Sequence, residues 1–197
     1  SFEAGSFVEP LGCVVRSVRK MAPLEGQSVL VMGSGLAGLL HIRLMRARGA
    51  GPICATDTNP QRLEAASRSG ADEVRLAGQP LPNADRVVVC TGAAAAARQA
   101  LDCVARGGHV MFFAANGPDE RLEIPLTRYW TTQPSLLFSY GAAPRDLSEA
   151  LDLIASGAVC VDDLVTHRFP LERIREAFDL FENPRDTALK IVIQPNL

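Results

Sequence analysis

Short apolar runs separated by longer amphipathic segments repeat through residues 28–139. Within the run at 86–90, the consecutive apolar residues Val87 to Cys90 are typical of a strand that is covered on both faces. Between the runs, apolar residues recur at helical spacing, as Leu63 and Ala66 do after Pro60. The pattern predicts strands at 28–32, 53–56, 73–76, 86–90, 109–114 and 135–139, with helices at 36–48, 60–70 and 94–105 between them.

Strands that alternate with helices of this length predict right-handed crossovers and a parallel sheet. We therefore expect an α/β fold whose sheet is doubly wound, of the Rossmann type, in the order 3-2-1-4-5-6. The ends of the chain fit this sheet less directly. The pattern predicts a helix at 7–20, a helix that includes Leu147, Leu151 and Ile154, and a helix after Pro170. The final apolar run, 189–193, is a predicted strand without an evident partner.

The first apolar run leads directly into a GxGxxG sequence formed by Gly33, Gly35 and Gly38. Gly33 permits a tight turn, and Gly35 lets a pyrophosphate approach the backbone without meeting a Cβ atom. Gly38 allows the following helix to pack closely on the strand. This combination predicts a turn that binds a diphosphate.

The residues that follow the glycine turn complete the pattern of a dinucleotide site. The N–H groups at the helix start, in Leu36 and Ala37, and the positive end of the helix dipole suit a bridging diphosphate. Asp57 lies nineteen residues after Gly38 and ends the next apolar run, where a carboxylate accepts both hydroxyls of an adenosine ribose. Strand, turn, helix, strand and acid therefore occur in the order that dinucleotide binding requires.

Composition excludes several other classes. The chain has 197 residues, 47% of them hydrophobic, and a net charge of −2, which gives no indication of nucleic-acid binding. No apolar run reaches the roughly 18–20 residues of a membrane span, and the N-terminus does not have the pattern of a secretory signal. The five cysteines are widely spaced and form no CxxC, which argues against a disulfide framework or a zinc knot. We expect reduced thiols and a cytoplasmic protein.

Several segments together resemble the zinc-type medium-chain dehydrogenases, in particular their polyol and threonine dehydrogenase branch. The resemblance keeps its order along nearly the whole chain and covers about the second half of such an enzyme. It rests on the sequences FVEPL at 7–11, GSGLAG at 33–38, Asp57 with Arg62, CTG at 90–92, RGG at 106–108, THRFPL at 166–171 and ALKIVI at 188–193.

The resemblance implies NAD as cofactor. Asp57 would bind the adenosine ribose and select NAD over NADP, because a 2′-phosphate would meet a carboxylate at close range. Arg62 would lie near the adenosine end, although a surface helix arginine explains it equally well. Residues after the fourth, fifth and sixth strands would line the rest of the cofactor site: Cys90, Thr91, Gly92, Phe113, Ala114, Ser139 and Tyr140.

The same resemblance implies a division of the chain. Residues 1–22 would link to a catalytic domain, 23–160 would form the NAD-binding domain, and 161–197 would return to the catalytic domain. In relatives an N-terminal domain supplies most ligands of the catalytic zinc, and a glutamate in the position of Glu9 lies at the zinc. Glu9 alone does not make a metal site, and a glutamate in the first turn of a helix explains it too. We therefore expect this chain alone to hold no zinc and to be inactive.

The implied reaction is hydride transfer between NAD and a secondary alcohol, a polyol or a hydroxy-amino acid, or the corresponding ketone. Relatives pair through the edge of the sheet, and the apolar run 136–138 indicates such an edge, so we expect a homo-oligomer. Two alternatives remain open: an NAD-binding module without catalysis, and a zinc-free quinone-reductase-like enzyme. His41, His109 and His167 have no metal ligand at suitable spacing, which favours structural or surface roles.

Methyltransferases and short-chain dehydrogenases fit the sequence less well. Methyltransferases commonly have an acidic residue just before the glycine turn, where this chain has Met32. Short-chain dehydrogenases have a different glycine spacing and a Tyr-x-x-x-Lys pair. Tyr129 and Tyr140 are followed at that distance by Gln133 and Pro144.

Overall fold

The computed structural model describes residues 1–182 and 188–195. The strands of the main sheet are β1 (Val29–Met32), β2 (Ile53–Asp57), β3 (Glu73–Leu76), β4 (Ala84–Val89), β5 (Val104–Phe112) and β6 (Ser135–Phe138). All neighbours are parallel and the order is β3-β2-β1-β4-β5-β6, which confirms the predicted α/β fold. A smaller sheet pairs β7 (Val165–Pro170) with β8 (Lys190–Gln194).

Helices cover both faces of the main sheet or flank it. In the described residues they are α1 (Phe2–Gly5), α2 (Val8–Lys20), α3 (Leu36–Ala47), α4 (Pro60–Arg68), α5 (Ala94–Cys103), α6 (Leu126–Thr132), α7 (Pro144–Ala155) and α8 (Ile174–Glu182). Glycines in the left-handed conformation follow α3 and α4, at Gly49 (φ 75°) and Gly70 (φ 108°), where L side chains are strained. The helix ends therefore follow from local chemistry.

The centre of the sheet is the best-buried part of the fold. Every residue of β1 is buried, and β1 pairs with β2 on one side and β4 on the other, so that Val29 lies opposite both Ile53 and Arg86. Residues Val87 to Val89 of β4 are fully buried, as the apolar run predicted. Because both faces are buried, water is excluded from the middle of the sheet. The accessible part of the sheet is the edge where the loops lie.

Most element boundaries differ by no more than two residues from those expected, but the start of β5 differs by five. The helix expected at 94–105 ends at Cys103, and β5 begins at Val104 rather than at residue 109. Val104 pairs with Ala84, after which the register shifts and Gly107 adopts a left-handed conformation (φ 67°). This irregular start explains why the sequence predicts a later beginning for β5. The two glycines at 107–108 suggest a turn before the strand, but the strand passes through them.

α2 is part of the core. Phe7, Leu11 and Val14 are completely buried and belong to the same apolar cluster as residues of α3 and β1. At the other end of α2, Arg19 forms ion pairs with Asp146 and with Glu149 of α7. The segment expected to link two domains therefore packs against the main α/β fold.

β8 has a partner that the sequence did not reveal. It pairs in parallel with β7, with His167 opposite Ile191, and α8 provides the crossover between them. The expected helix after Pro170 begins as a 3₁₀ turn at Leu171–Arg173 and becomes α-helical at Ile174. α1 and α6 were not predicted, and both are short.

Candidate dinucleotide site

The carboxyl ends of the central strands meet at one edge of the sheet, and backbone hydrogen bonds fix the residues that follow them. Gly33 N–H donates to the Thr56 carbonyl at 2.8 Å, and Cys90 N–H donates to Met32 at 2.7 Å. Phe113 N–H similarly donates to the carbonyl of Val89 at 3.0 Å. The structure thus brings the residues after β1, β2, β4 and β5 together, at the crevice between β1 and β4 where open α/β sheets bind ligands.

The three glycines of the turn differ in their surroundings. Gly33 is left-handed (φ 96°), and a Cβ atom there would lie 3.1 Å from the Cys90 carbonyl group. A Cβ atom on Gly38 would lie 1.9 Å from the carbonyl oxygen of Gly33, so helix and turn approach too closely for any side chain. A Cβ atom on Gly35 would meet nothing within 4 Å. Gly33 and Gly38 therefore serve the fold, whereas Gly35 faces open space.

That open space lies at the start of α3. Gly35 is the N-cap residue and provides no side chain to satisfy the first turn of the helix. The N–H groups of Leu36 and Ala37 lie in this first turn, where helix geometry leaves donors without an intrahelical acceptor. The turn consequently offers backbone donors and the positive end of a twelve-residue helix to an anion.

Asp57 lies beside this turn and is 8% exposed. Its Oδ2 atom accepts a hydrogen bond of 2.7 Å from Ser34 N–H, and its Oδ1 atom accepts one of 2.9 Å from Asn59 N–H. Each carboxylate oxygen keeps a second lone pair for a ligand hydroxyl. Asp57 therefore also ties β2 to the glycine turn, which the sequence pattern did not reveal because Ser34 takes part through its backbone.

Two buried polar atoms of β2 and α4, the elements on either side of Asp57 and Asn59, lack hydrogen-bond partners among the described residues. The Oγ1 atom of Thr56 is buried and unpaired, and so is the Nε atom of Arg62. Arg62 is half-buried in the first turns of α4, so it is not simply a solvated surface arginine. Buried polar groups are normally satisfied, and these two atoms are consistent with a polar ligand at this side of the site.

A cavity of about 370 Å³ lies at the ends of β5 and β6. The predicted residues Phe113, Ala114, Ser139 and Tyr140 line it, together with Asn116. The Oγ atom of Ser139 is buried without a partner in the part of the chain that is described. The cavity therefore combines apolar walls with one unsatisfied hydroxyl.

Asn116, which sequence reasoning missed, closes the gap between two loops. Its Nδ2 atom donates to the Gly92 carbonyl at 3.0 Å, and a Cβ atom on Gly92 would lie 2.8 Å from the carbonyl oxygen of Ala115. Thr91 Oγ1 accepts a bond of 3.3 Å from Ala93 N–H. The loops after β4 and β5 are thus in direct contact, and no local signal in the sequence marked Asn116.

His41 lies completely buried behind the glycine turn. Its ring is hydrogen-bonded to Ser17 and to the carbonyl of Ala37, and it packs edge-on against Phe113 with ring centroids 4.6 Å apart. Burial lowers the pKa of His41 to about 4 and raises the pKa of the nearby Cys90 thiol. A structural role was expected for this histidine, but its position against the site was not.

Glu9 lies on the exposed first turn of α2. Its Oε1 atom accepts a bond of 3.2 Å from the Cys13 thiol, and burial raises the pKa of that thiol to about 11. Within residues 1–182 and 188–195, no three His, Cys, Asp or Glu side chains are grouped so that they could hold a metal ion. The proposed role of Glu9 at a metal stays a prediction.

Comparison with known proteins places this geometry in a family. The sequence profile described as "Zinc-binding dehydrogenase" matches residues 37–156. The chain belongs to this family. It is 29% identical to human sorbitol dehydrogenase and 31% identical to L-arabinitol 4-dehydrogenase of Aureobasidium melanogenum, over 98% of its length in both cases. The chain spans 57% and 56% of these relatives, so it matches little more than half of each.

Solved structures agree with this assignment. A putative zinc-binding dehydrogenase from Sinorhizobium meliloti, bound to NADP, is 26% identical with a TM-score of 0.89 and matches 98% of this chain and 59% of its own. An alcohol dehydrogenase from Thermus sp. ATN1 is 28% identical with a TM-score of 0.88, over 98% of this chain and 59% of its own. No helix in the described residues is long and apolar enough to cross a membrane.

Proposed function

We propose that this chain is the NAD-binding part of an oxidoreductase that transfers hydride between a secondary alcohol and NAD. The observation that carries the proposal is Gly35, which faces open space at the start of α3 beside the buried carboxylate of Asp57. A turn of this shape needs Gly33 and Gly38 for its own backbone geometry. A glycine in the position of Gly35 is needed only if a ligand approaches the backbone there.

The residues fit a dinucleotide along its whole length. The pyrophosphate would lie over Gly35 and accept from the N–H groups of Leu36 and Ala37. The adenosine ribose would reach Asp57, and the unpaired Nε atom of Arg62 would face the adenosine end. The nicotinamide end would occupy the cavity at Phe113 and Ala114, with the Ser139 hydroxyl available to its carboxamide.

In this arrangement the chain binds and orients, and bound NAD supplies the hydride acceptor. The contact between the loops after β4 and β5 forms one wall, because Asn116 holds the Gly92 carbonyl. The apolar side of the cavity, at Phe113, excludes water from one face of the nicotinamide. These residues fix the cofactor without taking a proton or a hydride themselves.

We further propose that the cofactor is NAD rather than NADP, because the Asp57 carboxylate would lie close to a 2′-phosphate. The relative from Sinorhizobium meliloti was solved with NADP, so the choice of cofactor has to be measured on this chain. The relatives named as polyol dehydrogenases favour a polyol as substrate, with a hydroxy-amino acid as the second candidate.

The zinc of the family does not fit the described residues, since Glu9 has no second and third ligand near it. We propose that its ligands come from an N-terminal catalytic domain, that 1–22 links to this domain, that 23–160 binds NAD, and that 161–197 returns to the catalytic domain. The whole protein would be a cytoplasmic homo-oligomer. A second candidate is an NAD-binding module without catalysis, which requires only the cofactor site.

Two titrations and assays with alcohols and with quinones test the proposal against a quinone reductase. NAD and NADP are titrated into the chain by calorimetry, and NADH formation is then followed with secondary alcohols and polyols. NAD binding without turnover supports a cofactor-binding part or module. Failure of both cofactors to bind would overturn the proposal, and turnover with quinones and NADPH in the absence of zinc would favour a quinone reductase.

A further inference from the structure

One imidazole joins four elements behind the proposed cofactor site. The Nδ1 atom of His41 lies 2.8 Å from the carbonyl oxygen of Ala37, and its Nε2 atom lies 2.9 Å from Ser17 Oγ on α2. A carbonyl oxygen only accepts, so Nδ1 carries the proton and Nε2 accepts from the Ser17 hydroxyl. The hydrogen-bond partners therefore select a single neutral tautomer of His41.

The same ring reaches the ends of two strands. It packs edge-on against Phe113 after β5, with an interplanar angle of 82°, and Nδ1 lies 3.5 Å from Cys90 Sγ after β4. Ala37 itself belongs to the first turn of α3. His41 thus contacts all three backbone segments that would hold the pyrophosphate and the nicotinamide, although it is completely buried and does not line the site.

The hydrogen bond between Ser17 and His41 cannot be replaced by a hydrogen bond to water. Ser17 and His41 are both completely buried, so water does not replace either partner if the other is removed. Burial keeps His41 neutral at neutral pH, since its pKa is lowered to about 4. The contacts are therefore those of a fixed, uncharged side-chain network.

We propose that His41 is a positioning residue: through its link to Ser17, it fixes the first turn of α3 and the ends of β4 and β5 at the spacing that the dinucleotide requires. This inference rests on the proposed NAD binding. The adenosine end is held separately, by Asp57, which is fixed through Ser34 and Asn59. Loss of the His41 network should therefore affect the full dinucleotide and spare adenosine, which carries no phosphate.

A residue that merely fills the core would behave differently. Its loss would lower stability, and it would weaken adenosine and NAD to the same extent or leave both unchanged. Replacing both partners of a buried hydrogen bond by apolar groups often restores stability. A double variant therefore separates positioning from packing. It would recover the stability of the fold, but it would not restore the link between α2 and the site.

The test uses Ser17→Ala, His41→Leu and the double variant, with the exposed helix serine variant Ser148→Ala as control. NAD and adenosine affinities are measured by calorimetry or nuclear magnetic resonance, and stability by thermal unfolding. We expect Ser17→Ala and His41→Leu to weaken NAD by roughly tenfold, as for one lost buried hydrogen bond, and adenosine by less than about twofold. The double variant should recover stability but keep the weak NAD binding, and Ser148→Ala should match the unmodified chain.

Equal weakening of both ligands, or recovery of NAD affinity in the double variant, would overturn the inference. A measurement on the unmodified chain tests it without substitutions: ¹⁵N resonances should show His41 protonated at Nδ1 and should move when NAD binds but not when adenosine binds. Resonances that respond alike to both ligands would contradict it. Absence of NAD binding by the unmodified chain would instead overturn the proposed function, and this inference with it.

Discussion

The carboxylate of Asp57 accepts a hydrogen bond of 2.7 Å from the backbone N–H of Ser34. The acid at the end of β2 is thereby joined to the glycine turn after β1, so one side chain combines two tasks. It shapes the turn, and it presents its remaining lone pairs where an adenosine ribose would bind. Substitutions of Asp57 are therefore expected to change the choice of cofactor and the order of the turn together.

The first prediction concerns this choice. Asp57→Ala should reduce the preference for NAD over NADP by about 1–3 kcal/mol, the size of a charge-assisted hydrogen bond, because the carboxylate no longer meets a 2′-phosphate. Calorimetric titration of both cofactors measures the difference. Asp179→Ala, on the exposed face of α8, is the matched control and should keep the preference. An unmodified chain that binds NADP as tightly as NAD would contradict this role of Asp57.

The second prediction concerns stability and pH. Ser28 donates to Asp85 Oδ2 from its hydroxyl at 2.6 Å and from its backbone N–H at 2.9 Å, and these bonds lower the pKa of Asp85. A carboxyl with a lowered folded pKa stabilises the fold above its unfolded pKa, and this contribution is lost as the pH falls through the folded value. Asp85→Asn should therefore lower the free energy of unfolding by about 1–2 kcal/mol at pH 7.

The difference between Asp85→Asn and the unmodified chain should shrink as the pH falls from about 4, near the ordinary pKa of an aspartate. Urea unfolding at neutral and acid pH measures it, with Asp179→Asn as control. A difference of the same size at both pH values would show that the charge of Asp85 does not contribute.

Much of the fold follows from the sequence because its signals are local. The buried run Val29–Met32, the glycines after α3 and α4, and the apolar residues of β4 each indicate one element through burial or backbone conformation. Repetition of strand and helix then leaves few topologies. The strand order could be predicted for this reason.

Other parts depend on contacts between distant segments. The pairing of β8 with β7 joins residues such as His167 and Ile191, and β5 begins early because Val104 pairs with Ala84. The contact of Asn116 with Gly92 and that of Ser17 with His41 are likewise tertiary. No periodicity or short motif encodes these relationships, so the positions of cofactor residues could be predicted while the side chains behind them could not.

The third prediction concerns assembly. β6 is one of the two outer strands of the main sheet, and Phe138 at its end is 67% exposed although its ring stacks on Phe112. An unpaired apolar edge favours association with a second copy. Light scattering at micromolar concentration should show a homo-oligomer, and Phe138→Lys should shift it towards monomer.

Phe181→Lys is the control for this experiment, since Phe181 is equally exposed, at 71%, but lies on α8 away from the edge. A monomeric unmodified chain would contradict the prediction. An equal shift of both lysine variants towards monomer would also contradict the prediction, because it would indicate a general effect on solubility rather than pairing at β6.

The fourth prediction concerns metal and turnover. The chain should hold no stoichiometric zinc and should oxidise no alcohol at a useful rate, because Glu9 has no grouped partner ligands within 1–182 and 188–195. Metal analysis after dialysis and an NADH-formation assay across secondary alcohols and polyols measure both. One zinc per chain, with turnover that Glu9→Ala abolishes, would show a metal site built in another way.

Binding of NAD over Gly35 is the central claim, and a titration of NAD into three proteins tests it most directly. Gly35 has an extended backbone, and a Cβ atom there would meet no atom within 4 Å, so Gly35→Val should fold, but the new side chain would fill the space of the pyrophosphate. Gly5→Val serves as control. A Cβ atom on Gly5 also meets nothing within 4 Å, and Gly5 lies in α1, distant from Gly35 in the sequence. We expect one NAD per chain for the unmodified protein and Gly5→Val, and binding at least about tenfold weaker for Gly35→Val. Absence of binding to the unmodified protein, or equal affinity in all three, would contradict the account.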